Sequence, residues 1–262
     1  MRIYISVVFC IINSGYCMDW CALNCNRGEH IACTLKGDCS VTEPCTFMTL
    51  NKEKILKSHN ALRAKFANGK EPKTSGLTVA NMRSLRWDGD LAFTASCNVG
   101  RCLLMEHDFC RGSPEYPAAG QNLWQVQFAG EGDCGSKYAE ATRLWYDEIS
   151  LLNKDQIKEM ASAYQAIQGT GHFTQIIWAE TEAIGCAMTQ KKEEGNTICN
   201  LACNYGPAGN VDTGEMLAEG APCSMCPEGT RCGDGLCGSA VKYYPILTIY
   251  AMVLFLIILN VL

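Results

Sequence analysis

The 262-residue chain contains no Asn-X-Ser/Thr sequon, so no N-linked glycan is expected on it. It has no Gly-X-Ser-X-Gly elbow, which removes the signature of a serine hydrolase of that type. Positive charge is not in surplus: 22 Lys and Arg stand against 27 Asp and Glu, a formal net charge of −5. That balance gives no reason to expect a nucleic-acid partner. One stretch, "GEGDCGSK" at 130–137, echoes a phosphate loop. Its Lys follows Ser instead of preceding it, and it carries a cysteine, so it reads as a surface turn.

Cysteine, by contrast, is abundant, with 18 residues. Two of them, Cys10 and Cys17, fall in the opening "MRIYISVVFCIINSGYC". There Arg2 precedes an apolar run from Ile3 to Ile12, and Gly15 and Cys17 stand at −3 and −1 of a cut before Met18. The run is too short to span a bilayer and reads as a secretory signal peptide over residues 1–17. Sixteen cysteines are left, an even number, and in a secreted chain they are expected to pair as disulfides instead of ligating zinc.

The other end is uncharged from Ile246 to Leu262, 17 residues that would reach ~26 Å as a helix. Gly238, Ser239 and Ala240 stand upstream, then a short polar spacer, and no Lys or Arg follows the run. Residues 239–262 fit a GPI-anchor signal, with a retained C-terminal membrane anchor as the alternative. Either places the protein on the extracellular face of the cell membrane; cleavage without anchoring would leave it secreted.

Between the ends the composition changes twice. Residues 18–49 hold Cys21, Cys25, Cys33, Cys39 and Cys45 among turn residues, with too few aliphatics for a core, and read as a stapled N-terminal arm. From Pro222, "PCSMCPEGTRCGDGLC" puts four cysteines among Gly and Pro. A zinc site on Cys223, Cys226, Cys232 and Cys237 is one reading; two disulfides, in any of three pairings, is the favoured one. In the middle, Ile55, His59, Leu62 and Phe66 share one helical face, and Asn68-Gly69 ends that helix. "GDLAFTASCNVGRCLLME" is a second helix candidate, and "SKYAEATRLWYDEISLLN" a third with Ser136 as its cap. "GQNLWQVQF", "HFTQIIWA", "EAIGCAMTQ" and "NTICNLACNY" read as strands, with "ETE" and "KKEEGN" as hairpin turns. Helices first and strands mostly later predict an α+β domain with helices packed on an antiparallel sheet.

Four stretches in order, "HNALR" at 59–63, "GQNLW" at 120–124, "GHFTQIIW" at 171–178 and "CNYGPAGN" at 203–210, resemble the CAP superfamily. This superfamily covers cysteine-rich secretory proteins, antigen 5 and plant pathogenesis-related proteins, and the arthropod antigen 5 branch is the most similar. The resemblance implies a three-layer α-β-α sandwich, a CAP domain over residues 50–210, and a small disulfide-rich, hinge-like extension over 211–238. It implies a cleft lined by His107, Gln121, Glu148 and His172, where many members carry Glu at the Gln121 position. It makes His107 and His172 candidate ligands for zinc or another divalent cation. It also implies disulfides Cys21–Cys33, Cys25–Cys110, Cys39–Cys102 and Cys186–Cys203, leaving Cys45, Cys97, Cys134 and Cys199 unassigned. His59, Asn60 and Arg63 form a structural element of the family.

The function this implies is an extracellular, membrane-tethered binding protein. Its partner would be a sterol or fatty acid, with Trp124 and Phe128 as candidate contacts, or a protein receptor. The rival reading is a metal-assisted hydrolase, a peptidase, using His107, Glu148 and His172. For the tether, treating expressing cells with a phosphatidylinositol-specific phospholipase should release the protein into the medium; retention on the cells would favour a spanning tail.

Overall fold

The computed structural model describes residues 18–239, apart from 24, 26–27, 103–104 and 213. The expected signal peptide and the apolar tail from Ile246 lie outside the described residues, among which no helix is long and apolar enough to cross a membrane. In chain order the elements are α1 (Ile31–Thr34), β1 (Cys45–Phe47), α2 (Lys52–Ala67), β2 (Arg86–Trp87), α3 (Gly89–Gly100), β3 (Gly120–Ala129), α4 (Tyr138–Asp147), α5 (Lys154–Ser162), α6 (Gly171–Ile177), β4 (Ala183–Glu193), β5 (Asn196–Gly206), β6 (Thr230–Gly233) and β7 (Leu236–Ser239).

The β4–β5 hairpin is the frame. Glu194 and Gly195 both take positive φ, 50° and 78°, which suits a two-residue turn whose twist matches the flanking strands. β3 pairs antiparallel with β5 from Gly120↔Tyr205 to Ala129↔Asn196, and β1 pairs antiparallel with β4, so the sheet order is β1-β4-β5-β3. β2 adds a short parallel pairing to β4. Alternation along the strands sends residues to two faces. Ile184, Cys186, Met188, Leu201, Cys203 and Tyr205 join the main core with Phe66, Trp145, Phe173 and Ile176 from α2, α4 and α6. Ala187 and Ala202 face Ala95 and Val99 of α3. Helices on both faces of one sheet make the α-β-α sandwich. Gly185 lets α3 approach closely: a Cβ there would stand 2.1 Å from the Ala92 nitrogen.

The arm carries a satellite cluster of Ile31, Ala32, Cys39 and Cys97, with Trp20 stacked on Phe93 of α3. At the other end, β6 and β7 form a hairpin anchored by Ser84 N–H on Cys237 O and Cys237 N–H on Met82 O. This is the disulfide-rich extension.

Four local expectations change. "HFTQIIWA" is not a strand but helix α6: Phe173, Ile176 and Ile177 repeat at helical spacing and are all fully buried. "ETE" therefore joins a helix to β4 and is no hairpin turn. α3 stops at Gly100, pressed against the carbonyls of Cys39 and Ser40, and does not run on through Cys102 and Met105. Ser136 lies in a 3-10 turn, and α4 starts without a side-chain cap.

The disulfides correct one pairing. Cys39 bonds Cys97, not Cys102, and Cys102 bonds Cys45. Cys97 sits buried on the α3 face turned to the arm, whereas Cys102 lies past the helix end, at φ 56°, beside β1. Cys21–Cys33, Cys25–Cys110 and Cys186–Cys203 form as expected, and Cys134 pairs Cys199. In the extension Cys223–Cys232 and Cys226–Cys237 are disulfides, which removes the zinc reading there.

Two polar side chains of α2 are wholly buried. Arg63 donates to the carbonyls of Arg83, Ile176, Trp178, Ala179 and Thr181, at 2.5–3.2 Å. His59 places Nδ1 3.0 Å from Ile55 O and Nε2 3.0 Å from the Tyr205 hydroxyl. Since a carbonyl only accepts, Nδ1 carries the proton and Nε2 accepts from Tyr205. A lysine has too few donors in the wrong geometry to replace Arg63. Arg63→Lys should cost about 3 kcal/mol or more, read as a lower urea midpoint.

Burial lowers the His59 pKa from its ordinary 6.5 to about 4. Between those values the unfolded chain binds a proton that the folded chain does not, so stability falls as the pH drops. The full loss is about 3 kcal/mol. A denaturation series from pH 7 to 4 should show the midpoint falling through this window, with a flatter slope in His59→Gln.

Candidate functional site

α4 ends where its last turn tightens into a 3-10 segment, Glu148–Leu151, and this sets Glu148 over the start of α6. Glu148 Oε2 accepts the backbone N–H groups of His172 and Phe173 at 2.9 and 3.0 Å. Its other oxygen, Oε1, lies 2.6 Å from His172 Nδ1. A carboxylate accepts, so Nδ1 carries the proton and Nε2 keeps its lone pair. Trp145, one turn earlier on α4, stacks on the His172 ring with centroids 5.9 Å apart, and its indole N–H holds Leu123 O of edge strand β3. Asn122 Nδ2 donates to His172 O at 3.2 Å and to the Tyr205 hydroxyl at 3.3 Å. The core histidine, Tyr205 and Asn122 thus connect to the backbone of His172. The His172 side chain stays 33% exposed.

His107 comes from the loop after α3, which is held by Asn98 Nδ2 on Glu106 O and by the Cys25–Cys110 disulfide. Its Nδ1 is 3.0 Å from Gln121 Oε1. Gln121 Nε2 donates to Asp108 Oδ2 at 2.9 Å and to Asn204 Oδ1 at 3.0 Å. Arg101 pairs with Asp108 Oδ1 at 3.2 Å, and Arg111 Nε lies 4.0 Å from Oδ2. Although His107 as a residue is exposed, partial desolvation of its ring holds the imidazole below its ordinary pKa. The hydrogen bond to Gln121 opposes that shift, while the charges of Arg111 and His172 add to it.

His107 is therefore paired with Gln121, and His172 with Glu148. Trp124 and Phe128, on the same strand, are half-buried against the main core, and the Lys137 ammonium stands 5.5 Å from the Phe128 ring centroid. Among the described residues only Cys223, Cys226 and Cys237 bring three His, Cys, Asp or Glu ligand atoms within 4.8 Å of one another, and all three are in disulfides. Sequence reasoning passed over Asp108, Arg101 and Asn204. The available signal was an acid directly beside His107 in "HDFCR", together with an amide at 121 that needs fixed partners if buried.

Residues 56–205 match the model of the CAP family, the cysteine-rich secretory protein family. A CRISP/Allergen/PR-1 protein of Trittame loki is 38% identical over 210 residues, 74% of this chain and 50% of its own length. A venom allergen 5 of Tityus serrulatus is 30% identical over 208 residues, 79% of this chain and 49% of its own. The chain spans about half the length of both relatives. Among solved structures, NaASP2 with Zn2+ superposes with a TM-score of 0.56 and 27% identity, covering 71% of this chain and 94% of that one.

Proposed function

The chain belongs to the cysteine-rich secretory protein (CAP) family, close to its venom allergen 5 branch, and we propose that it is a secreted binding module whose cleft takes a divalent cation on His107 and His172. The observation that carries this reading is the state of the two rings. Each has Nδ1 committed to an oxygen, Gln121 Oε1 or Glu148 Oε1, which leaves Nε2 as a lone-pair donor. Neutral imidazoles oriented from behind are the ligands that zinc and similar ions prefer. The solved relative NaASP2 is a structure with Zn2+, which makes zinc the first ion to try. When bound, the ion would supply a Lewis acid with coordination positions open to water or to a partner's group.

Binding fits the site better than hydrolysis. Both oxygens of Glu148 are occupied by three donors, so this carboxylate orients His172 instead of standing free as a base. All sixteen cysteines from Cys21 to Cys237 are paired, which leaves no thiol nucleophile among them. A sterol, a fatty acid or a protein receptor stands as the partner class implied by the family, and the C-terminal tail as the means of holding the protein at the cell surface.

Calorimetric titration of chelator-treated protein with zinc should show saturable binding at neutral pH. His107→Ala and His172→Ala should each weaken it by at least about tenfold, because each removes one of two ligands. No heat above dilution with the unsubstituted protein would sink the cation reading.

A further inference from the structure

We infer that Asp108 is the second carboxylate of this cleft, a positioning residue that fixes the His107 ring through the amide of Gln121. The inference deepens the reading above, and rests on it for the claim that His107 is a working ring of the site.

The hydrogen bonds leave no freedom in the relay. Asn204 reaches Leu91 O at 3.3 Å, and a carbonyl only accepts, so the Asn204 atom there is Nδ2. Its other amide atom, Oδ1, therefore faces Gln121, and the Gln121 atom 3.0 Å away is Nε2. Asp108 demands the same orientation twice. Its carboxylate accepts from Nε2 at 2.9 Å, and its own backbone N–H points at Oε1 at 3.4 Å. Gln121 Oε1 is thus turned to His107, whose Nδ1 must donate at 3.0 Å. Two fixed neighbours set the amide, and the amide sets the tautomer.

Both members of the relay are desolvated, Asp108 at 7% and Gln121 at 8% exposure. A glutamate at 121 would set one carboxylate against another across the 2.9 Å now closed by an N–H donor. The acid at 108 and the amide at 121 therefore require each other. Where many relatives carry Glu at the 121 position, here the negative charge stands behind the amide, on Asp108, held by Arg101 and faced by Arg111. The amide passes on orientation while keeping the full charge away from the ring.

The test uses the full chain with 15N-labelled histidine, and reads the His107 tautomer by long-range 1H–15N correlation and zinc affinity by titration. In the unsubstituted protein His107 should be a single Nδ1–H tautomer. Because Asn204 also sets the Gln121 amide, the variants are made in Asn204→Ala, where Asp108 should by itself keep the single tautomer. Adding Asp108→Asn lets the amide at 108 offer either atom to Gln121, so His107 should mix tautomers and zinc affinity should fall about tenfold. Adding Gln121→Glu to these two substitutions should restore the single tautomer, because the carboxylate placed at 121 would accept both from the amide placed at 108 and from His107, with no Asn204 oxygen left to oppose it. It should also return the affinity at least to its starting value. His172, oriented by Glu148, should keep its signals throughout. In the Asn204→Ala background, a His107 that stays locked in Asp108→Asn, or that is not restored by the exchange, overturns the inference. If Asp108→Asn alone does not fold, recovery of the fold in the exchanged protein supports the pairing and failure to recover overturns it. A tautomer that responds as stated in a protein that binds no zinc supports the role of Asp108 while sinking the cation reading.

Discussion

One buried cation fixes where α6 can lie. Arg63 has no solvent contact, and its donors hold five carbonyls, three of them at the end of α6 and just beyond. At the other end of α6, the Glu148 carboxylate accepts the first free N–H groups. A helix of seven residues has little stability of its own. Negative charge at its N-terminus and positive charge at its C-terminus complement the helix dipole from both sides. The same two contacts aim His172, since Glu148 also takes its Nδ1 proton. Folding and site geometry share one pair of charged side chains here.

This explains why the segment misleads as sequence. "HFTQIIWA" is β-branched and aromatic, and local propensity favours a strand. What makes it helical is not local: Glu148 lies 24 residues before His172, and Arg63 lies 113 residues before Ile176. Strands β3, β4 and β5 were legible because their alternation is local and their hairpin turn carries its own signal in Glu194-Gly195. Cysteine partners obey the same division. Whether Cys39 meets Cys97 or Cys102 depends on where α3 stops, and α3 stops where Gly100 meets the arm's backbone, a contact between segments far apart in the chain.

The four candidate site residues came from family motifs, because a spacing of 65 residues between His107 and His172 says nothing about proximity. Their supports came from neither motif nor spacing. Trp145 stood in the sequence only as one residue of a helix candidate, yet its indole joins α4 to the edge of β3 and its ring backs His172. Asp108 was visible as an acid in a loop. Its burial, and the reason for an amide at 121, appear only when Asn204 from β5 and Arg101 from the end of α3 are brought against it.

The two histidines are consequently held in different ways. A ring that is to present Nε2 must have its Nδ1 proton accepted from behind, and the acceptor must itself be held. On the His172 side a carboxylate does this directly and is held by helix N–H groups. On the His107 side an amide does it, and the amide can hold only one orientation because a buried acid and a backbone carbonyl, acting through Asn204, exclude the other. On the His172 side the carboxylate touches the ring, whereas on the His107 side it stands one amide away.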